Sequence, residues 1–516
     1  MKGVIAAGDR QTCAAGVTAL EAGGTAVDAI LAAAFASFVV EPPLTSPAGA
    51  GVLLHGDRQR GFEIIDFFAA TPGRGLKRWP ELDFHKVTVD FGPTTQPFHV
   101  GKAAAAVPSA LPGLLATHRR HGTMPLADLL APAIRYSRHG YMLGKQVRWV
   151  NELLEPIVTM TPGVREIFCE DGAIAAAGTV QYNRPFADFL ESLARDPADG
   201  MRAFRDATLA HFGPACGGLI TAADLDAYEP QVRQPLRARF QGYDIVTNPP
   251  PASGGGLIAF ALRLVEQLDL GSFLGPDHVT GLAEVFRAVS QARLSGYDEN
   301  IGEPDVIEKL LESSNIDAWI GRMAAHREER QLGGTTHISV IDVKGGAASL
   351  TASNGEGCGY VLPGMGIHMN NFLGEDDINP RGFHKFEPGT WMTTMMSPTI
   401  VLRDGDPRLV LGSGGSNRIR SAVTSALVNA LGFGRDLDRS VNAPRLHVEG
   451  DQLWFEADEA HTDASEALEA AWPGAARFPG RNMFFGGVHA VGRTEAGLVG
   501  GGDRRRGGAV AVAGGS

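Results

Sequence analysis

Gly333-Gly334-Thr335-Thr336-His337-Ile338-Ser339-Val340-Ile341-Asp342 is the stretch on which the reading of this chain turns. Two glycines free the backbone just ahead of a threonine pair, and a strand-like alternation begins immediately after. Taken alone, this is a loop entering a strand. It also has the composition of a self-cleavage site. A threonine hydroxyl attacks the carbonyl of the residue before it, the chain breaks, and the threonine becomes a new N-terminus. Its freed α-amine then serves as base for its own hydroxyl, which activates a weak nucleophile without a metal. Glycine at 334 suits such a bond, because a residue without Cβ tolerates a strained backbone. On spacing alone, either Thr335 or Thr336 could be the attacking residue.

Further words follow in order. Downstream lie Thr351-Ala352-Ser353-Asn354-Gly355, Gly366-Ile367-His368-Met369-Asn370-Asn371 and Met396-Ser397-Pro398-Thr399-Ile400-Val401. Gly412-Ser413-Gly414-Gly415-Ser416-Asn417-Arg418-Ile419 and Asn442-Ala443-Pro444-Arg445 complete that half. The N-terminal half carries Glu21-Ala22-Gly23-Gly24-Thr25-Ala26-Val27-Asp28-Ala29, Glu41-Pro42, Gly122-Thr123-Met124-Pro125 and Pro250-Pro251-Ala252-Ser253-Gly254-Gly255. Each word is weak; their joint order is specific. Nearly end to end, the chain resembles the γ-glutamyltranspeptidases, N-terminal-nucleophile hydrolases with a Thr-Thr-His-x-Ser processing site.

The resemblance implies an α+β fold, the four-layer αββα sandwich of the N-terminal-nucleophile hydrolases. Cleavage between Gly334 and Thr335 would give a large segment, 1–334, and a small one, 335–516, woven into one structural domain. The two products are expected to stay associated, alone or as a dimer of that pair. The resemblance implies Thr335 as nucleophile and Ser353 in the place of a supporting threonine hydroxyl. It puts the oxyanion hole at the backbone N–H groups of Gly415 and Ser416, where small residues let donors face a cavity. His337, Asn370, Asn371, Arg418 and Arg445 also match family positions, and they read as structural support. No metal and no cofactor is called for. The remaining histidines show no ligand spacing.

The specificity residues depart from the family. A γ-glutamyl donor needs its α-carboxylate and α-ammonium held, and the family holds the carboxylate with arginine in an Asp-x-Arg-Glu-x-Ala-Pro word. Here the stretch reads Asp66-Phe67-Phe68-Ala69-Ala70-Thr71-Pro72. Phenylalanine at 68 cannot form the bidentate charge-assisted pair that arginine gives a carboxylate. At the α-amino end stand Gly355, Phe372 and Glu375, of which only Glu375 is charged, and the family serine pair has become Thr394-Met395. A more apolar acyl pocket follows, unless another arginine reaches in from elsewhere. The expected function is therefore a γ-glutamyltranspeptidase-like acyltransferase or hydrolase working through a Thr335 acyl-ester. The alternatives are an amidohydrolase for a different small amide, oxamate-like or acylase-like, and a non-catalytic scaffold of the same fold.

Composition narrows the partners to a small amide and a water or amine acceptor. The net charge of −12 argues against nucleic acid, and Arg504-Arg505-Arg506 reads as a local structural or surface feature. Four cysteines without Cys-x-x-Cys spacing fit a reducing compartment. Residues 29–40 are apolar but too few to span a bilayer, and no apolar signal region precedes the first word. These features read as cytoplasmic, with no membrane partner.

Periodicity predicts helices over 11–22 and 26–38, the second buried on most sides, with Thr25 and Asp28 as a capping box. Strands 52–55 and 62–67 are expected around a Gly56-Asp57 turn. Helical periodicity dominates 109–240, where Thr221 is an N-cap, and further helices are expected over 257–268 and 277–296. After Thr335 come a hairpin through Lys344-Gly345-Gly346, a second through Asp404-Gly405, and a helix over 419–431. From these elements alone the fold is α/β or α+β.

Overall fold

The computed structural model describes residues 1–90, 95–322 and 335–514. Gly333 and Gly334, which carry part of the cleavage-site expectation, lie outside them. Two antiparallel sheets organise the chain. The first runs Gln231–Arg233, Gly61–Phe67, Ala50–Asp57, Ala347–Ser353, Thr336–Asp342, Gly3–Ala7, Ala509–Ala513. The second runs Leu236–Phe240, Tyr243–Thr247, Thr399–Arg403, Asp406–Gly414, Gly487–Thr494, Gly497–Gly502. Both sheets interleave strands from before and after position 335. Thr336–Asp342, for example, pairs with Gly3–Ala7 on one side and Ala347–Ser353 on the other.

Successive strand residues point to opposite faces, and here both faces of each sheet are covered. Val4, Val52, Leu54 and Ile64 pack between the sheets against Val246, Ile400, Leu402 and Val410. Their neighbours Ile5, Leu53 and Ile65 face outward to the helices Arg10–Glu21, Ala26–Val40 and Ala110–His121. On the second sheet, Ile245, Val401, Leu409 and Leu411 face the helices Ser253–Val265, Pro276–Ala292 and Arg418–Leu427. The layers are helix, sheet, sheet, helix, as the resemblance implies.

Local chemistry explains the boundaries. Thr25 and Asp28 form the expected capping box, and every residue of Ala26–Val40 is buried. Asp28 also accepts from the Thr123 amide and hydroxyl and the Met124 amide, tying the second helix to a distant loop. Thr221 caps Ala222–Ala227 through a second box. The expected Gly56-Asp57 turn lies instead inside Ala50–Asp57. The reversal comes one step later, where Asp57 Oδ1 accepts from the Gln59 and Arg60 amides.

The helix expected from 257 starts at Ser253, so Gly254-Gly255-Gly256 form its first turn. A Cβ on Gly254 would lie 2.2 Å from the Met395 carbonyl oxygen, and one on Gly255 2.0 Å from that of Asn248. Close backbone approach, not flexibility, explains that run. The helix expected to reach 296 ends at Ala292. Arg293–Tyr297 continues as a wider turn, with Gly296 at φ 117°.

Candidate active site

Thr335 is buried and immediately precedes the strand Thr336–Asp342, at its entry end. It lines a cleft together with Ser353, Ser416, Phe68, Phe372, Glu375, Thr394 and Met395. Eight of the residues singled out from sequence therefore meet in one place, from six separate segments. Strand pairing explains part of this: Thr336 is in register with Ala352, which sets Ser353 at the neck beside Thr335. Ser353 Oγ accepts from the Gly355 amide at 2.9 Å.

The two adjacent threonines are treated differently. Thr336 Oγ1 donates to Glu41 Oε2 at 2.8 Å, while Thr12 Oγ1 donates to Glu41 Oε1 at 2.7 Å. Glu41 is buried, and burial, then repulsion from Asp9, raises its carboxyl to about 7. Behind Thr335, Arg506 Nη1 donates to its carbonyl oxygen at 2.7 Å. Of the arginine run at 504–506, Arg505 and Arg506 are buried, so it is an internal feature at this site with only its first residue exposed.

The strand Asp406–Gly414 delivers the glycine-rich loop. A Cβ on Gly414 would sit 1.9 Å from the Thr335 carbonyl oxygen, so the two backbones touch there. Gly415 at φ 117° and Ser416 at φ 48° then turn the chain into Arg418–Leu427. Ser416 is a non-glycine residue in the left-handed region, and its hydroxyl donates to Asp377 Oδ2. Gly415 is not in the cleft wall itself, and neither is Gly355. Gly355, at φ 64°, lies behind the wall, where a Cβ would come within 2.3 Å of Glu375 Oε1.

One wall is apolar. The Phe68 and Phe372 rings lie 5.2 Å apart and continue into Met395, Met396 and Ile419. The other wall is charged. Arg293 lines the cleft, donating to Asp298 Oδ2, to Glu449 Oε1 at 3.2 Å and to the Asp377 carbonyl at 3.4 Å. Burial opposes its charge, but Asp298 and Glu449 more than restore it. Glu375 is held well above the usual carboxylate range by burial, then by repulsion from Glu356 and Asp377. Asp377 is raised by burial, against the pull of the Ser416 hydroxyl and of Arg293 and Arg418. A protonated Glu375 is a hydrogen-bond donor as well as an acceptor.

The family-matched support residues stay out of the cleft wall. His337 is buried between the sheets, bonded to Thr351 Oγ1 at 2.8 Å and Ser339 Oγ at 3.0 Å. Burial, then His489, holds its imidazole neutral. Asn370 bonds the Ala48 and Ala106 carbonyls, and Arg445 bonds Phe485, Val441 and Asp503. Arg293 and Asp377 are cleft residues that sequence reasoning did not name, and Ser253 was quoted only as part of a word. The signal for Arg293 was the Ser295-Gly296 pair that breaks its helix.

Comparison with known proteins places the fold and the family. The solved cephalosporin acylase from Bacillus halodurans superposes with a TM-score of 0.83 at 23% identity, covering 100% of this chain and 96% of that one. The fold is thus that of the N-terminal-nucleophile hydrolases. The γ-glutamyltranspeptidase family model matches residues 12–513, and the chain belongs to that family of hydrolases and acyltransferases. It is 29% identical over 534 residues to the Acylase ACY 1 proenzyme of Pseudomonas sp. (strain SE83), covering 100% of this chain and 94% of that one. It is 27% identical over 490 residues to the Glutathione hydrolase proenzyme of Escherichia coli (strain K12), covering 86% and 81%. Among the described residues, no helix is long and apolar enough to cross a membrane.

Proposed function

We propose that this chain is an autoprocessed amidohydrolase and acyltransferase, cut before Thr335, that carries the acyl group of a small amide on Thr335 as an ester. The observation that carries the reading is the position of Thr335, against the Gly414–Ser416 loop in a cleft that also holds Ser353. Both curated relatives described above are proenzymes by name, which supports cleavage.

In the proposed cycle the α-amine of Thr335 takes the hydroxyl proton as Oγ1 adds to the amide carbon. The developing oxyanion is met by backbone N–H groups at Gly415 and Ser416. Collapse expels the amine, which takes that proton, and leaves the ester. Water or an amine acceptor then attacks the ester, releasing acid or new amide and restoring Thr335. Ser353 supports the nucleophile. The four free thiols, two of them buried, fit a reducing compartment, and cytoplasmic action is part of this reading.

The donor is a γ-glutamyl compound or a related amide. Phe68 and Phe372 favour the related amide, an acyl chain with an apolar body, over a glutamyl group clamped at residue 68. Arg293 brings a cation to the opposite wall, where it can meet a terminal carboxylate, and a protonated Glu375 is a poor partner for an ammonium. The test is a p-nitroanilide series: γ-glutamyl, glutaryl (lacking the ammonium) and butyryl (lacking both groups). The reading expects glutaryl to exceed γ-glutamyl, all turnover to vanish in Thr335→Ala, and an acyl adduct to be trapped on the peptide beginning at Thr335. Turnover unchanged in Thr335→Ala would overturn the mechanism, and γ-glutamyl as the best donor would overturn the preference.

A further inference from the structure

Three side chains outside the cleft converge in a way that amide chemistry does not use. His55 on Ala50–Asp57 and Glu63 on Gly61–Phe67 are direct cross-strand partners. His121, the last residue of Ala110–His121, reaches the same point from the covering helix. His55 Nε2 lies 3.3 Å and His121 Nε2 2.8 Å from the same oxygen, Glu63 Oε1. Both nitrogens are buried, and neither makes a contact with the geometry of a hydrogen bond. One ligand atom from each residue falls within 4.8 Å of the others.

Both imidazoles face the same carboxylate oxygen, and a cation placed among the three donors would satisfy all of them. A zinc ion bonds His and carboxylate donors at about 2.0–2.2 Å in a tetrahedron, which puts donor atoms about 3.3–3.5 Å apart. Of the observed spacings, 3.3 Å matches that and 2.8 Å is about half an ångström shorter. We propose that His55, Glu63 and His121 form a site for a divalent transition metal ion of the zinc type, with solvent as fourth ligand, separate from the Thr335 cleft. The ion would fasten the end of Ala110–His121 to the hairpin beneath it.

The charges around the site bear on this. Arg120 and Arg60 oppose a cation. Arg120 Nη2 is 3.5 Å from Glu63 Oε2, but its side chain is 55% exposed and can turn to solvent. No sequence spacing announces the site, because strand pairing and helix docking bring its members together. Two histidines and one carboxylate are borderline donors that suit zinc over calcium or magnesium.

The experiment uses the full chain without an affinity tag, stripped with chelator and titrated with Zn²⁺ by calorimetry and with Co²⁺ by visible absorption. The expected result is one ion per chain, tetrahedral Co²⁺ bands and a Tm that rises with zinc. His121→Ala should abolish all three. Glu63→Gln should weaken affinity by at least about tenfold, since removing a ligand costs no less than removing its outer partner. Unchanged Tm values of both variants in chelator show that they fold. Absence of stoichiometric binding, or binding that survives both substitutions, would overturn the proposal.

Discussion

Thr336 Oγ1 donates to Glu41 Oε2 at 2.8 Å, so the second threonine of the pair is committed to the core while Thr335 lines the cleft. Thr336→Val keeps the side-chain shape and removes the donor. It should cost about 1–3 kcal/mol, the range for leaving a buried acceptor unpaired, yet still yield a C-terminal chain beginning at residue 335. Chemical denaturation and intact-mass measurement check the two halves. A folded but uncut Thr336→Val would move the nucleophile assignment.

Glu41 gives a pH signature. Burial, then Asp9, raises its carboxyl from an ordinary 4.5 to about 7. The native state therefore holds a proton that the unfolded chain has released, and stability falls as pH rises from about 4.5 to 7. Glu41→Gln removes that one contribution, worth on the order of 3 kcal/mol across the window. Its Tm should fall less steeply than the wild type's between those limits. Parallel curves would show that Glu41 is not the group responsible.

Contact between the glycine-rich loop and Thr335 predicts the effect of a single methyl group. In Gly414→Ala the new Cβ would lie 1.9 Å from the Thr335 carbonyl oxygen, which is backbone and cannot swing aside. Stability should drop by about 1–3 kcal/mol from overpacking, and maturation should stop or slow. Gly480→Ala is the control, since a Cβ there meets nothing within 4 Å. Processing assayed on gels should separate the two.

Phe68→Arg restores the residue type that the family word carries. The position is buried against Phe372, so the guanidinium enters an apolar wall and total activity should fall. The ratio of kcat/KM for glutaryl over butyryl p-nitroanilide should nevertheless rise. A charge-assisted bond of about 1.5–3 kcal/mol corresponds to roughly 10-fold to 100-fold. Because the ratio is taken on one protein, partial unfolding does not change it. An unaltered ratio would show that residue 68 does not reach the acyl carboxylate, which Arg293 then holds alone from the opposite wall.

Much of this was legible in the sequence because it is local. The strand after Thr335, the hairpin through Gly345 and the buried helix from Ala26 follow from alternation and caps. Of the residues named from sequence, Phe68, Phe372, Glu375, Thr394 and Met395 do share the cleft with Thr335, Ser353 and Ser416. The rest depends on long-range packing. Arg293 enters because its helix breaks just beyond it, and Arg506 reaches Thr335 from the far end of the chain. Glu41 was visible only as part of a word, since its role arises from Thr12 and Thr336 meeting across a buried gap. The helix expected from 257 starts at Ser253 because its glycines allow close backbone approach, which periodicity does not reveal.

The central claim is that Thr335 becomes an N-terminus and acts as the nucleophile. N-terminal sequencing of the smaller band from freshly purified protein tests it most directly, alongside Thr335→Ala prepared identically. The account predicts two bands for the wild type, the smaller reading Thr-Thr-His-Ile-Ser, and one uncut, inactive chain for Thr335→Ala. A smaller band that begins at any other residue, or an uncut wild-type chain with full amidase activity, would contradict it.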